Sequence, residues 1–168
     1  GPERALEMMT TGRHVPAKEA LAGGLTDELV EEGKLKEGAI AFAKKVVAEG
    51  RPLRKIRDQH EKVEAARGKP EIFADFRKAN ARKFRGFLAP EYNIQTIEAA
   101  VNLPFDQGLA VERKLFLELM SGPQSAAQRY SFFAERTAQK IAGIADDVPL
   151  IPIKKVGIIG AGTMGGGI

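Results

Sequence analysis

The feature that most constrains this chain lies near its end. Lys155-Val156-Gly157-Ile158-Ile159 is a short apolar run that leads directly into Gly160-Ala161-Gly162-Thr163-Met164-Gly165. Such a run reads as a strand buried on both faces. A G-x-G-x-x-G turn directly after a strand is the context in which this motif holds a dinucleotide. Each glycine has its own reason: Gly160 permits the tight turn, Gly162 lets the backbone approach a pyrophosphate, and Gly165 lets the following helix pack closely on the strand. The helix N-terminus then offers N–H groups and a positive dipole end to the phosphates. Gly160, Gly162 and Gly165 are therefore the candidate cofactor-binding residues. The acidic residue that grips the ribose is expected about 20 positions on, after Ile168. A single strand and half a helical turn cannot bury their own apolar surface, so residues 154–168 are expected to lack order or to pair with another chain.

Upstream, the period of the apolar residues is helical. Residues 3–11 place Ala5, Leu6 and Met9 on one face, with Pro2 suited to the first turn and Gly12 to the position after the last. Ala17 to Ala22 reads as a short helix stopped by Gly23-Gly24, and Leu25 to Val30 as a short strand or turn. Leu35 to Glu49 repeats Ile40, Ala43 and Val47 at helical spacing, with Gly50 as its cap. Residues 51–70 are very polar and read as a solvated linker or exposed helix. Glu71 to Arg85 is helical through Phe73, Phe76, Ala79 and Phe84, and Ala89-Pro90 breaks the chain. Three more helices follow: Asn93 to Leu103, Gln107 to Ser121, and Gln124 to about Gly143. Their stripes predict buried faces, and the short connections predict antiparallel neighbours. Residues 144–153, with two prolines, read as an interdomain linker.

Composition narrows the chemistry. No apolar run approaches the roughly 18–20 residues of a membrane helix, so no transmembrane segment is expected. Cysteine is absent from the 168 residues, which excludes disulfides and thiolate chemistry. Gly1-Pro2-Glu3-Arg4 opens no apolar leader, and the absence of an initial Met and the stop at Ile168 read as a fragment. A formal charge of +4 is a weak pull toward polyanions.

Two stretches then carry a family resemblance. Residues 155–168, with their Thr-Met-Gly-x-Gly-Ile tail, resemble the opening of a 3-hydroxyacyl-CoA dehydrogenase domain. Residues 1–13 and Ala17 to Asp27 are similar to the late section of an enoyl-CoA hydratase (crotonase) domain. Glu98 to Val101, Gly108 to Phe116 and Phe132 to Arg136 resemble that domain's helical tail. Hydratase tail before dehydrogenase head is the order of the multifunctional fatty-acid β-oxidation enzymes, bacterial or peroxisomal, and 51–90 matches least. The resemblance implies a mainly α fold: residues 1–50 as the C-terminal part of a crotonase domain, 51–70 as polar linker, 71–143 as a helical tail and linking bundle, 144–153 as interdomain linker, and 154–168 as the first strand and turn of a Rossmann domain. It implies a parent that hydrates 2-enoyl-CoA and oxidises 3-hydroxyacyl-CoA with NAD, acting on acyl-CoA substrates in the bacterial cytoplasm or a peroxisome. A thiolase subunit or a second copy are the implied protein partners.

The family's two hydratase glutamates precede the part that matches Gly1, and the dehydrogenase His–Glu pair follows Ile168. No catalytic residue is therefore carried onto this chain, which alone is expected to be inactive. Phe116 matches a family aromatic near the CoA adenine; its plain alternative is a core residue on a helix face. The family's phosphate-binding lysine before Arg136 is replaced here by Glu135.

Other residues carry little. His14 and His60 are the only histidines, and no metal-binding cluster is expected around them. Glu31-Glu32 and Asp146-Asp147 read as solvated acids rather than an acid/base pair. Phe76 to Phe87 mixes bases and aromatics, which raises nucleic-acid binding. Phe76 and Phe84 lie eight apart, close to one helix face, which favours an amphipathic helix with a solvated basic side and no nucleic-acid partner. A non-catalytic helical docking module is the other class open to it.

Overall fold

Apolar residues at spacings of three and four are what a helix needs to bury one side, and one segment here has them on two sides. The computed structural model describes residues 1–145 and 147–168, so Asp146 of the expected acid pair lies outside the described residues. The helices are α1 (Pro2–Thr11), α2 (Ala17–Ala22), α3 (Leu35–Ala48), α4 (Glu61–Glu64), α5 (Glu71–Phe84), α6 (Ala89–Asn102), α7 (Phe105–Ser121) and α8 (Pro123–Ala138), with a 3-10 turn at Ile56–Asp58. The chain divides into two units, Gly1–Ala127 and Gln128–Ile168.

In the first unit α6 is the hub, in contact with α1, α4, α5 and α7. Its Ile94, Ile97 and Val101 fall on one face and are buried with Leu6 of α1, Phe73 of α5 and Ala66 from the turn between α4 and α5. Phe76 and Phe84 edge this cluster, their rings 6.1 Å apart. The other side of α6 presents Ala99 and Ala100 to α7. A Cβ on Gly108 of α7 would lie 3.4 Å from the Ala99 carbonyl oxygen, so glycine permits the close crossing there.

Caps explain several boundaries. Gly12 closes α1 at φ 61, its N–H donating to the Met8 carbonyl. Glycine takes this left-handed conformation without the Cβ penalty. Gly50 ends α3: its N–H donates to the Val47 carbonyl and that of Arg51 to the Val46 carbonyl. Those paired bonds satisfy carbonyls that α3 would otherwise leave open.

Several expectations need correction. Ala89-Pro90 opens α6 instead of breaking the chain, because a proline in the first turn loses no helical hydrogen bond. The polar stretch 51–70 is not wholly solvated, since Ala66 is in the core and Arg67 Nε donates to the Val101 carbonyl. The last helix ends at Ala138, ahead of Gly143. No strand occurs among the described residues, at 25–30 or at 155–159; a strand requires a ladder partner. The stripes of α3 and α8 are not buried either. Val47 is 80% and Tyr130 77% exposed, and neither helix contains a buried residue.

Candidate functional site

The glycine turn belongs to the second unit and is described within it. Its local geometry follows from the three glycines. Gly160 has φ 103, a conformation that side chains with a Cβ rarely adopt. From there the chain folds back: a Cβ on Gly165 would lie 2.0 Å from the Gly160 carbonyl oxygen and 3.2 Å from Ile158 Cγ2. Nothing lies within 4 Å of the Cβ position on Gly162, which leaves that face of the turn open. The first and third glycines are thus required by conformation and contact, and the second borders free space. The Gly166 N–H donates to the Gly162 carbonyl at 2.8 Å and that of Gly167 to Met164 at 3.1 Å. These are the first bonds of a helical turn. The turn thus has no room for a Cβ at 165 and leaves the Gly162 face open, the kind of room a phosphate needs to approach backbone.

Phe116 lies in the first unit, on α7. It is 58% exposed in this chain. Val111, Leu115 and Leu119 of the same helix are half-buried instead. Phe116 borders a shallow depression with Leu109, Ala110 and Arg113. The structure does not bring the glycine turn and Phe116 into one described site, since they fall in separate units.

His14 and His60 are exposed, and no cluster of three potential metal ligands exists among the described residues. The basic-aromatic stretch folds as an amphipathic helix: Phe76 and Phe84 turn to the core. The same stretch contains Arg77, whose partners its local sequence does not reveal. Its guanidinium forks both carboxylate oxygens of Glu91 and of Glu98 on α6, with contacts of 2.7–3.2 Å. Glu91 and Glu98 are seven apart, two turns on one helix face, a spacing that is visible in sequence once α6 is known to start at Ala89. Arg77 holds the Glu91 carboxyl below the usual carboxylate range by direct hydrogen bonding.

No family model matches the chain. Its whole length aligns with peroxisomal bifunctional enzymes: 36% identical to that of Cavia porcellus, 34% to that of Homo sapiens and 39% to that of Danio rerio. The chain is a homologue of one segment of these enzymes. It spans 23% of their length. These bifunctional-enzyme relatives agree with the family resemblance of the sequence. Their names place them in the peroxisome, and they give no support to a bacterial cytoplasm. No helix among the described residues is long and apolar enough to cross a membrane.

Proposed function

We propose that this chain is a connecting segment of a bifunctional β-oxidation enzyme, which hydrates 2-enoyl-CoA and oxidises 3-hydroxyacyl-CoA with NAD. Residues 1–50 are the C-terminal part of the hydratase domain, 71–143 its helical tail and 154–168 the opening of the NAD-binding domain. One observation carries the reading: whole-length similarity to peroxisomal bifunctional enzymes in a chain that ends in a G-x-G-x-x-G turn. Gly160, Gly162 and Gly165 would hold the NAD pyrophosphate, and Phe116 would border the CoA adenine. NAD, when bound, accepts the hydride of the oxidised carbon. The residues of this segment bind and orient; none supplies a general acid or base, so the 168-residue chain alone is inactive. Acyl-CoA esters are the substrates, and the peroxisome is the compartment its relatives' names favour.

The test compares two proteins: the longer enzyme that carries this segment, and the 168-residue chain. Hydration of a 2-enoyl-CoA and NAD reduction by a 3-hydroxyacyl-CoA are expected in the first and neither in the second. Gly165→Val in the longer enzyme is expected to lower NAD affinity at least tenfold while hydration persists, because the added carbons collide with the Gly160 carbonyl. Turnover by the short chain, or unchanged NAD affinity in the variant, would overturn the reading.

A second reading, a helical docking module, draws on the exposed apolar faces of α3 and α8. It is compatible with the first, because a connecting segment must be covered by the domains it joins.

A further inference from the structure

The helix α7 has two apolar sides. Gly108 is buried and Val111, Leu115 and Leu119 are half-buried, which marks the side held against α6. A second row holds Phe105, Leu109, Glu112, Arg113, Phe116 and Met120, within an arc of about 100° at 3.6 residues per turn. Its four apolar members are each about half exposed, and Glu112 and Arg113 are exposed as well. Neither Glu112 nor Arg113 forms an ion pair among the described residues.

The row is symmetric about the midpoint between residues 112 and 113. Phe105 and Met120 lie equally far from that point, and so do Leu109 and Phe116. A second α7 laid antiparallel across the midpoint sets Phe105 against Met120, Leu109 against Phe116 and Glu112 against Arg113, each pairing made twice. Apolar groups then meet only apolar groups, and each acid meets a base. A parallel pairing in the same register sets Glu112 against Glu112 and Arg113 against Arg113, which repel. Residues 105, 109, 112 and 116 follow spacings of four, three and four, those of a seam between paired helices.

The geometry points to this row as a self-pairing surface, on which two copies of the chain associate antiparallel about a two-fold axis between residues 112 and 113. A two-fold axis uses the same surface on both copies and closes the pair. A single helix pair is a small interface, so the association is weak and needs high protein concentration. Phe116 meets Leu109 of the second copy in this pair, so pairing and the adenine contact proposed for Phe116 are alternatives. The experiment below contains no CoA ester and decides the pairing by itself.

The test is sedimentation velocity on the 168-residue chain. Glu112→Arg and Arg113→Glu change exposed side chains, and each alone makes both charged pairings repulsive. Either is expected to raise the dissociation constant about tenfold. The double variant Glu112→Arg/Arg113→Glu restores opposite charges and is expected to return the native constant. An equal mixture of the two single variants is expected to associate at native strength, because each then faces the opposite charge. Helical circular dichroism stays the same in all of them. Single variants that associate like the native chain overturn the surface. Weakened single variants that recover neither in the double variant nor on mixing overturn the antiparallel pairing.

Discussion

Arg77 concentrates charge between α5 and α6. Its fork meets two carboxylates in paired contacts, and the side chain is about one-third exposed. Charge-assisted paired bonds are stronger than neutral ones, but water at the rim screens them. Arg77→Met is expected to lower unfolding stability by about 1–2 kcal/mol, read from the urea midpoint. The pH dependence has a definite sign. Glu91 is depressed in the folded protein, so its contribution is present above the unfolded carboxylate pKa and is lost as pH falls through the folded value. Urea midpoints measured from about pH 6 to about pH 3 should fall for the native chain. Glu91→Gln should flatten part of that slope; an identical slope would show that the pairing adds no acid sensitivity. Arg77 was readable only as one base among several, because pairing depends on which face α6 turns toward α5.

Among the elements, α3 shows how a local rule can be overridden. Alanine in place of a mid-helix glycine normally stabilises by about 1 kcal/mol. At Gly38 an added Cβ would lie 2.3 Å from Val30 Cγ1 and 3.0 Å from Val30 Cβ, so the 30–34 approach would have to shift. Gly38→Ala is therefore expected to leave the helical thermal midpoint unchanged or lower it, as crowding offsets propensity. A rise matching the full propensity term would show that Val30 does not rest on α3. Helix positions themselves were legible, because periodic apolar residues and glycine caps act within a few residues of their own site. Ala17–Ala22 and the Gly50 cap came from such signals. What depends on distant partners was not. Pro90 suggests a break from sequence alone, because a proline does not say on which side of it the helix runs. The apolar run from Lys155 to Ile159 suggests a strand, yet pairing needs a neighbour that composition does not supply. The glycine turn was legible for the opposite reason, since positive φ at Gly160 and the close approach at Gly165 are local demands.

For the molecule as a whole, the buried cluster is small and the apolar surface large. Leu6, Ala66, Phe73, Ile94, Ile97 and Val101 form the core, while Leu35, Val47, Tyr130, Phe133 and Leu150 are among many large apolar groups in solvent. Extensive apolar exposure marks surfaces that other chains or domains cover. The isolated 168-residue chain is expected to self-associate with rising concentration, as sedimentation velocity would show. A strictly monomeric chain at high concentration would mean that these faces need no cover. The α1–α6 contact has a consequence for how the chain is made. Asn93 Nδ2 of α6 donates to the Met9 carbonyl of α1 across 84 residues of sequence. At ribosomal rates of about 5–20 residues per second, α1 emerges roughly 4–17 seconds before the partner that buries Leu6. Throughout that interval α1 is without the α6 face that buries Leu6, which has yet to be translated.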